Sequence, residues 1–175
     1  MKKQLFSIIL ATGLLVGCAE LTNLQKMVVP ANFKQSDLVN KKWYCSSSYA
    51  TWNLLTKEYY TYSPNGRVVS DGTMRILKDG REFNYKIHSE GIWQLNGRYL
   101  FERATKASVT KNYSVNAKQA LKANPKLAKW EKEMFLILKT METSAKKGAI
   151  REIETLTPTE LTTIFASSYV ICAKQ

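Results

Sequence analysis

The chain has 175 residues, 26 of them lysine or arginine against 14 aspartate or glutamate, for a formal net charge of +12 at neutral pH. That length suits one domain with an adequate core rather than two. The basic excess favours anionic neighbours, while the single histidine and three cysteines show no metal-ligand spacing.

Lys2 and Lys3 precede a run from Leu5 to Val16 whose only polar members are Ser7 and Thr12, the charged-then-apolar order of a secretory signal. Its 12 residues fall short of the roughly 20 needed to cross a hydrocarbon core of about 30 Å, so residues 1–17 are expected to be removed. Leu15, Val16, Gly17 and Cys18 resemble the lipobox of bacterial lipoproteins. The resemblance implies cleavage before Cys18, which then carries the lipid anchor, palmitate included. Because Ala19 follows rather than an aspartate, it also implies the outer membrane, with the domain facing the periplasm. Residues 18–37, weakly patterned and interrupted by Pro30, are the expected tether. In that setting the available anions are phospholipid headgroups, envelope glycans and acidic protein surfaces, and cytosolic nucleic acid is out of reach.

With Cys18 assigned to lipid, Cys45 and Cys172 remain, an even number in an oxidising compartment. A bridge between them would close a very long loop, worth on the order of 4 kcal/mol from chain entropy. The alternative is two separate reduced thiols in the core.

From Leu38 onward short strand-like runs alternate with turns. "KKWYCSS" is the first and "KEYYTYS" the second, and the turn at Pro64, Asn65 and Gly66 leads into "RVVSDGTMRIL". Asp79 and Gly80 close the next turn before "REFNYKIH", in which Phe83, Tyr85 and Ile87 face one way and Glu82, Asn84, Lys86 and His88 the other. Gly91 then opens "GIWQL" as a fifth strand, and Asn96 with Gly97 turns back into "RYLFERA" as a sixth. Beyond it the period changes. "NAKQALKAN" predicts a short helix, and Leu127, Trp130, Met134, Leu138 and Met141 recur at helical spacing between Pro125 and Lys147. Pro125 fits the first turn of that helix and Gly148 its end. "AIREIETL" and one last long strand, "TTIFASSYVICAK", complete the count.

The expected fold is mainly β with an α-helical insertion at about 116–148. An antiparallel meander of about eight strands closes into a barrel over residues 38–175, with the helices between strands six and seven. About eight strands is where a sheet closes on itself and leaves an interior that is either filled or holds one small ligand. Closure makes the first and last strands neighbours and brings Cys45 towards Cys172.

The order of "WYC", "SPNGRVVSDGT", "GIWQL" and "REIETLTPTEL" is similar to that of small lipocalin-like bacterial lipoproteins, over roughly residues 38–105 and 149–173. This resemblance implies a barrel whose interior takes a small ligand. The chain is also similar to envelope lysozyme inhibitors, lipid-anchored barrels with one disulfide, although a basic inhibitor would repel a basic target at long range.

No nucleophile with a base, carboxylate pair, phosphate loop or cofactor motif stands out, so an enzyme is not expected. His88 shares the polar strand face with Lys86, and Glu90 offers it no more than a weak neighbour. Two groups of residues remain. Trp43, Tyr60, Tyr62, Phe83, Tyr85, Trp93, Tyr99 and Phe101 are candidates to line a ligand cavity, or else form the core. Lys118, Lys122, Lys126, Lys129, Lys132 and Lys139 are candidates to rest on an anionic surface, or else form a solvated helix face. The expected function is a non-enzymatic outer-membrane lipoprotein that binds a periplasmic or envelope protein, as an inhibitor or immunity protein, or a small apolar ligand. The alternative is a structural part of an envelope assembly or secretion apparatus, docked through its basic helix.

Overall fold

Residues alternate between inward and outward faces along each strand, and in a computed structural model describing residues 33–165 and 168–175 that alternation builds a barrel. Cys18, the signal segment and the tether through residue 32 lie outside the described residues. The strands are β1 (Lys42–Tyr49), β2 (Leu54–Tyr62), β3 (Arg67–Lys78), β4 (Arg81–Asn96), β5 (Tyr99–Lys111), β6 (Ala149–Leu156), β7 (Glu160–Phe165) and β8 (Ser168–Lys174). Each pairs antiparallel with the next, and β8 pairs with β1 to close the ring. A single turn of helix, α1 (Gln35–Leu38), precedes β1, while α2 (Val115–Ala123) and α3 (Pro125–Ala145) join β5 to β6.

The total of eight strands matches expectation, but two cuts fall elsewhere. "REFNYKIH" and "GIWQL" are one strand of 16 residues, β4, so five strands precede the helices rather than six. Gly91 is no turn. A Cβ there would lie 2.2 Å from the Arg103 carbonyl oxygen, so glycine lets β5 approach while Thr105 bulges out and donates its hydroxyl to the Glu90 carbonyl at 3.1 Å. Conversely "TTIFASSYVICAK" splits into β7 and β8, with Phe165 opposite Ser168. Only alanine and serine separate the two, with no glycine, proline, asparagine or aspartate to mark a turn. Turn chemistry holds at Asp79 and Gly80, both at positive φ, whereas the next hairpin turns on Gly97 and Arg98, one residue later than expected.

Closure is complete at one end only. β5 pairs with β6 through Tyr99–Glu102 alone, and the stretch from Arg103 to Lys111 has no strand on that side among the described residues. α3 packs there instead, its Glu142 carboxylate accepting the Val109 N–H at 2.5 Å. The helices start where local chemistry starts them: Ser114 accepts from Ala117 N–H and Asn124 from Leu127 N–H, both at 3.1 Å, with Pro125 following Asn124 in the first turn.

Two separate cores result. At the strand-closed end Leu38, Trp43, Tyr62, Trp93, Leu100 and Ile153 are buried around the Cys45–Cys172 disulfide, whose cysteines stand directly opposite on β1 and β8. Trp43 and Trp93 each donate their indole N–H to a carbonyl, of Leu38 at 2.9 Å and Ser63 at 3.1 Å, so neither ring is buried with an unmet donor. Phe33 packs against this core, so the end of the expected tether is already part of the fold. At the helix-covered end Phe83, Tyr85, Met74, Ile76, Leu127 and Leu138 form the second core.

Candidate functional site

Between the two cores lies a chamber of about 430 Å³, within the roughly 300–1,000 Å³ of small-molecule sites. Its wall is apolar, including Leu54, Val68, Met74, Ile87, Ala107 and Val109. Trp52, Ile137 and Met141 also line it and are solvent-exposed, which places its mouth between the β1–β2 connection and α3.

The floor carries charge. On β2 the inward parity runs Leu54, Thr56, Glu58, Tyr60, Tyr62, so Glu58 points into the barrel among apolar and hydroxyl side chains. Glu102 from β5 and Arg151 from β6 join it. Arg151 Nε lies 2.9 Å from Glu102 Oε2, an ion pair whose alignment is not that of a hydrogen bond, and its guanidinium donates to Tyr60 Oη at 3.2 Å. Tyr62 donates to Glu102 Oε1 at 2.6 Å; Tyr60 donates to Glu58 Oε2 at 3.1 Å. Ser70 reaches the same Glu58 oxygen at 3.4 Å and lies 3.1 Å from the Ser89 hydroxyl. Burial raises the Glu58 carboxyl above its ordinary range, against the opposing pull of Arg151 and the Tyr60 hydrogen bond. Burial likewise raises Tyr60 and Tyr62, helped by the nearby carboxylates, so both phenols stay protonated as donors.

Of the aromatic candidates, only Tyr60 lines this chamber. Trp43, Tyr62 and Trp93 fill the strand-closed core, and Phe83 and Tyr85 lie under the helices. Tyr99 and Phe101 take the parity opposite to Leu100 and Glu102 and so face outward, where Phe101 packs on Gly148. Most of the large rings pack into the two cores, whereas the chamber between them is lined by smaller apolar residues and charge together with Tyr49, Trp52 and Tyr60. Glu58, Glu102 and Arg151 were not foreseen as a group. The readable signal was a carboxylate at inward parity between Thr56 and Tyr60.

Lys118, Lys122, Lys126, Lys129 and Lys132 are exposed on α2 and α3. Lys139 differs: it pairs with Glu142 at 2.6 Å and lies over the Phe135 ring, so it holds α3 together rather than presenting charge. Lys111 pairs at 2.8 Å with Glu131, a buried carboxylate that also accepts the Tyr113 hydroxyl. His88 has Nδ1 2.7 Å from Asp71 Oδ1 and Nε2 3.4 Å from Glu90 Oε1. The Asp71 hydrogen bond, then that of Glu90, raise its pKa against slight burial, which favours an imidazolium over a free base. Among the described residues no group of three or more His, Cys, Asp or Glu side chains is placed to hold a metal ion. No helix among them is long and apolar enough to cross a membrane.

No family model and no curated protein matches the chain. Solved structures do. A lipocalin-like protein from Bacteroides uniformis is similar at 18% identity and a TM-score of 0.43, covering 79% of this chain and 99% of its own. An uncharacterized protein from Bacteroides eggerthii is similar at 12% identity and a TM-score of 0.42 over the same shares. The fold itself follows from the strand order, an up-and-down eight-stranded barrel of the kind lipocalins have.

Proposed function

We propose that the protein is a lipoprotein tethered through Cys18 to the outer membrane, and that its barrel binds a small amphiphilic ligand in the periplasm. The observation that carries this reading is the chamber: about 430 Å³ of space with an apolar wall, a polar floor and an open mouth. A barrel that served only as a scaffold would gain stability by filling that volume, since empty space forfeits dispersion contacts. Small apolar ligands and partner proteins were both expected. The chamber favours the small ligand, and its floor calls for a polar end on that ligand.

The test begins with full-length protein extracted from envelope membranes in a mild non-ionic detergent. Mass spectrometry under native conditions is expected to detect a stoichiometric small molecule that leaves on denaturation. Protein of bare mass, with side chains closing the chamber in a crystal structure, would end this reading and leave protein binding. The anchor has its own test: Cys18→Ser is expected to move the protein from the membrane fraction to the soluble periplasmic fraction.

A further inference from the structure

We infer that the ligand carries a cationic head, an ammonium group seated at Glu58, with its apolar body running along the wall towards Trp52, Ile137 and Met141. The inference rests on the chamber being a ligand site and goes on to name the charge of what it holds.

It follows from what each lining charge is already doing. Arg151 faces Glu102 at 2.9 Å and donates to Tyr60 at 3.2 Å, and the second Glu102 oxygen accepts from Tyr62 at 2.6 Å. That pair is balanced in charge, although Arg151 Nε makes no hydrogen bond. At the mouth Glu142 is held by Lys139 and by the Val109 N–H, His88 lies between Asp71 and Glu90, and Arg103 is exposed at the rim. At the floor, Glu58 is the remaining charge. Its hydrogen-bond partners are hydroxyls, Tyr60 at 3.1 Å and Ser70 at 3.4 Å on one oxygen and Thr56 beside it. No cation lies within ion-pair distance of it among the described residues. The floor therefore holds two carboxylates and one guanidinium.

Each head group would meet that floor differently. A carboxylate or phosphate would place a like charge beside Glu58, with the floor's one guanidinium already paired in charge to Glu102, and so would bind more weakly. A hydroxyl would leave the charge balance as it is. An ammonium would supply the missing counter-charge in a site whose apolar wall strengthens the pairing, and could donate to the Ser70 and Thr56 hydroxyls as well. The rise in the Glu58 pKa agrees with this, since burial outweighs the partial compensation that Arg151 and the Tyr60 hydroxyl provide.

Calorimetric titration of the intact, disulfide-closed protein with octylamine, octanol and octanoate reads the head-group preference at constant tail. Octylamine is expected to bind about tenfold or more tightly than octanol, with octanoate the weakest. Glu58→Gln should bring octylamine down to the affinity of octanol, Glu58→Asp should keep the preference, and Ala107→Trp, which fills the chamber, should bind none of them. Octanol or octanoate matching octylamine in the wild type, or a preference that survives Glu58→Gln, would overturn the cationic head while leaving a ligand chamber. Failure of the wild type to bind any of the three would overturn the chamber reading and this inference with it.

Discussion

At the strand-closed end of the barrel, β1 to β8 surround a core of aromatic and aliphatic residues, and the disulfide joins the first strand to the last. At the other end β6 no longer accompanies β5, and two helices lie across the gap as a cover. The first end holds itself by strand pairing, which is continuous and long-range. The second holds itself by helix packing, by two N-caps and by the Val109–Glu142 hydrogen bond. A closed ring has one arrangement, but a helix resting on a half-open sheet can lift without breaking a ladder. The chamber lies at the junction, floored from the strand-closed end and covered by the helices at the other. Under the proposed function, that division suits a site with a fixed polar floor and a mouth that admits a ligand.

Three changes separate the two ends. Arg151→Leu should have the largest effect, a loss of about 3–5 kcal/mol in urea unfolding, because it strands the half-buried Glu102 carboxylate without its ion-pair partner. Replacing Cys45 and Cys172 together with alanine should cost about 2–5 kcal/mol and lower amide protection around the whole ring. Leu138→Ala, under the cover, should cost about 3 kcal/mol. Its exchange pattern should differ from that of the cysteine pair, with β5 residues 103–111 and the helices losing protection while the β1–β8 ladder keeps it. Equal loss in both regions would mean that the ends are not separable.

Glu58→Gln tests the floor more finely. A carboxyl whose folded pKa lies above its unfolded value binds its proton more tightly when folded. Its contribution to stability is then complete below the unfolded pKa of about 4.5 and is lost as pH rises through the folded value. Glu58→Gln should remove that decline, raising the melting temperature at pH 8 relative to wild type and changing it little at pH 4. A wild-type melting temperature that rises across the same interval at the Glu58→Gln-sensitive step would contradict the assigned direction.

The β character, the helical insertion and the Cys45–Cys172 bridge were legible because each rests on local pattern or on a count. Phe83, Tyr85 and Ile87 alternate, Leu127 to Met141 recur at helical spacing, and two cysteines at opposite ends of a meander need only closure to meet. Strand boundaries were less so, because Gly91 serves close approach rather than a turn and because no glycine or proline marks the break after Phe165. The floor was hardest to foresee. Glu58, Glu102 and Arg151 sit on three strands, and only the register of a closed barrel brings them together. Counting carboxylates along the chain finds them scattered; following parity strand by strand would have marked Glu58.

The central claim is a hollow interior between two independent cores, and xenon binding tests it most directly, since apolar cavities take up xenon. Crystals of the unliganded protein under xenon pressure are predicted to show one main site in contact with Met74, Val109 and Ile137. Absence of xenon there, with side chains occupying the volume from Leu54 to Ala107, would contradict it.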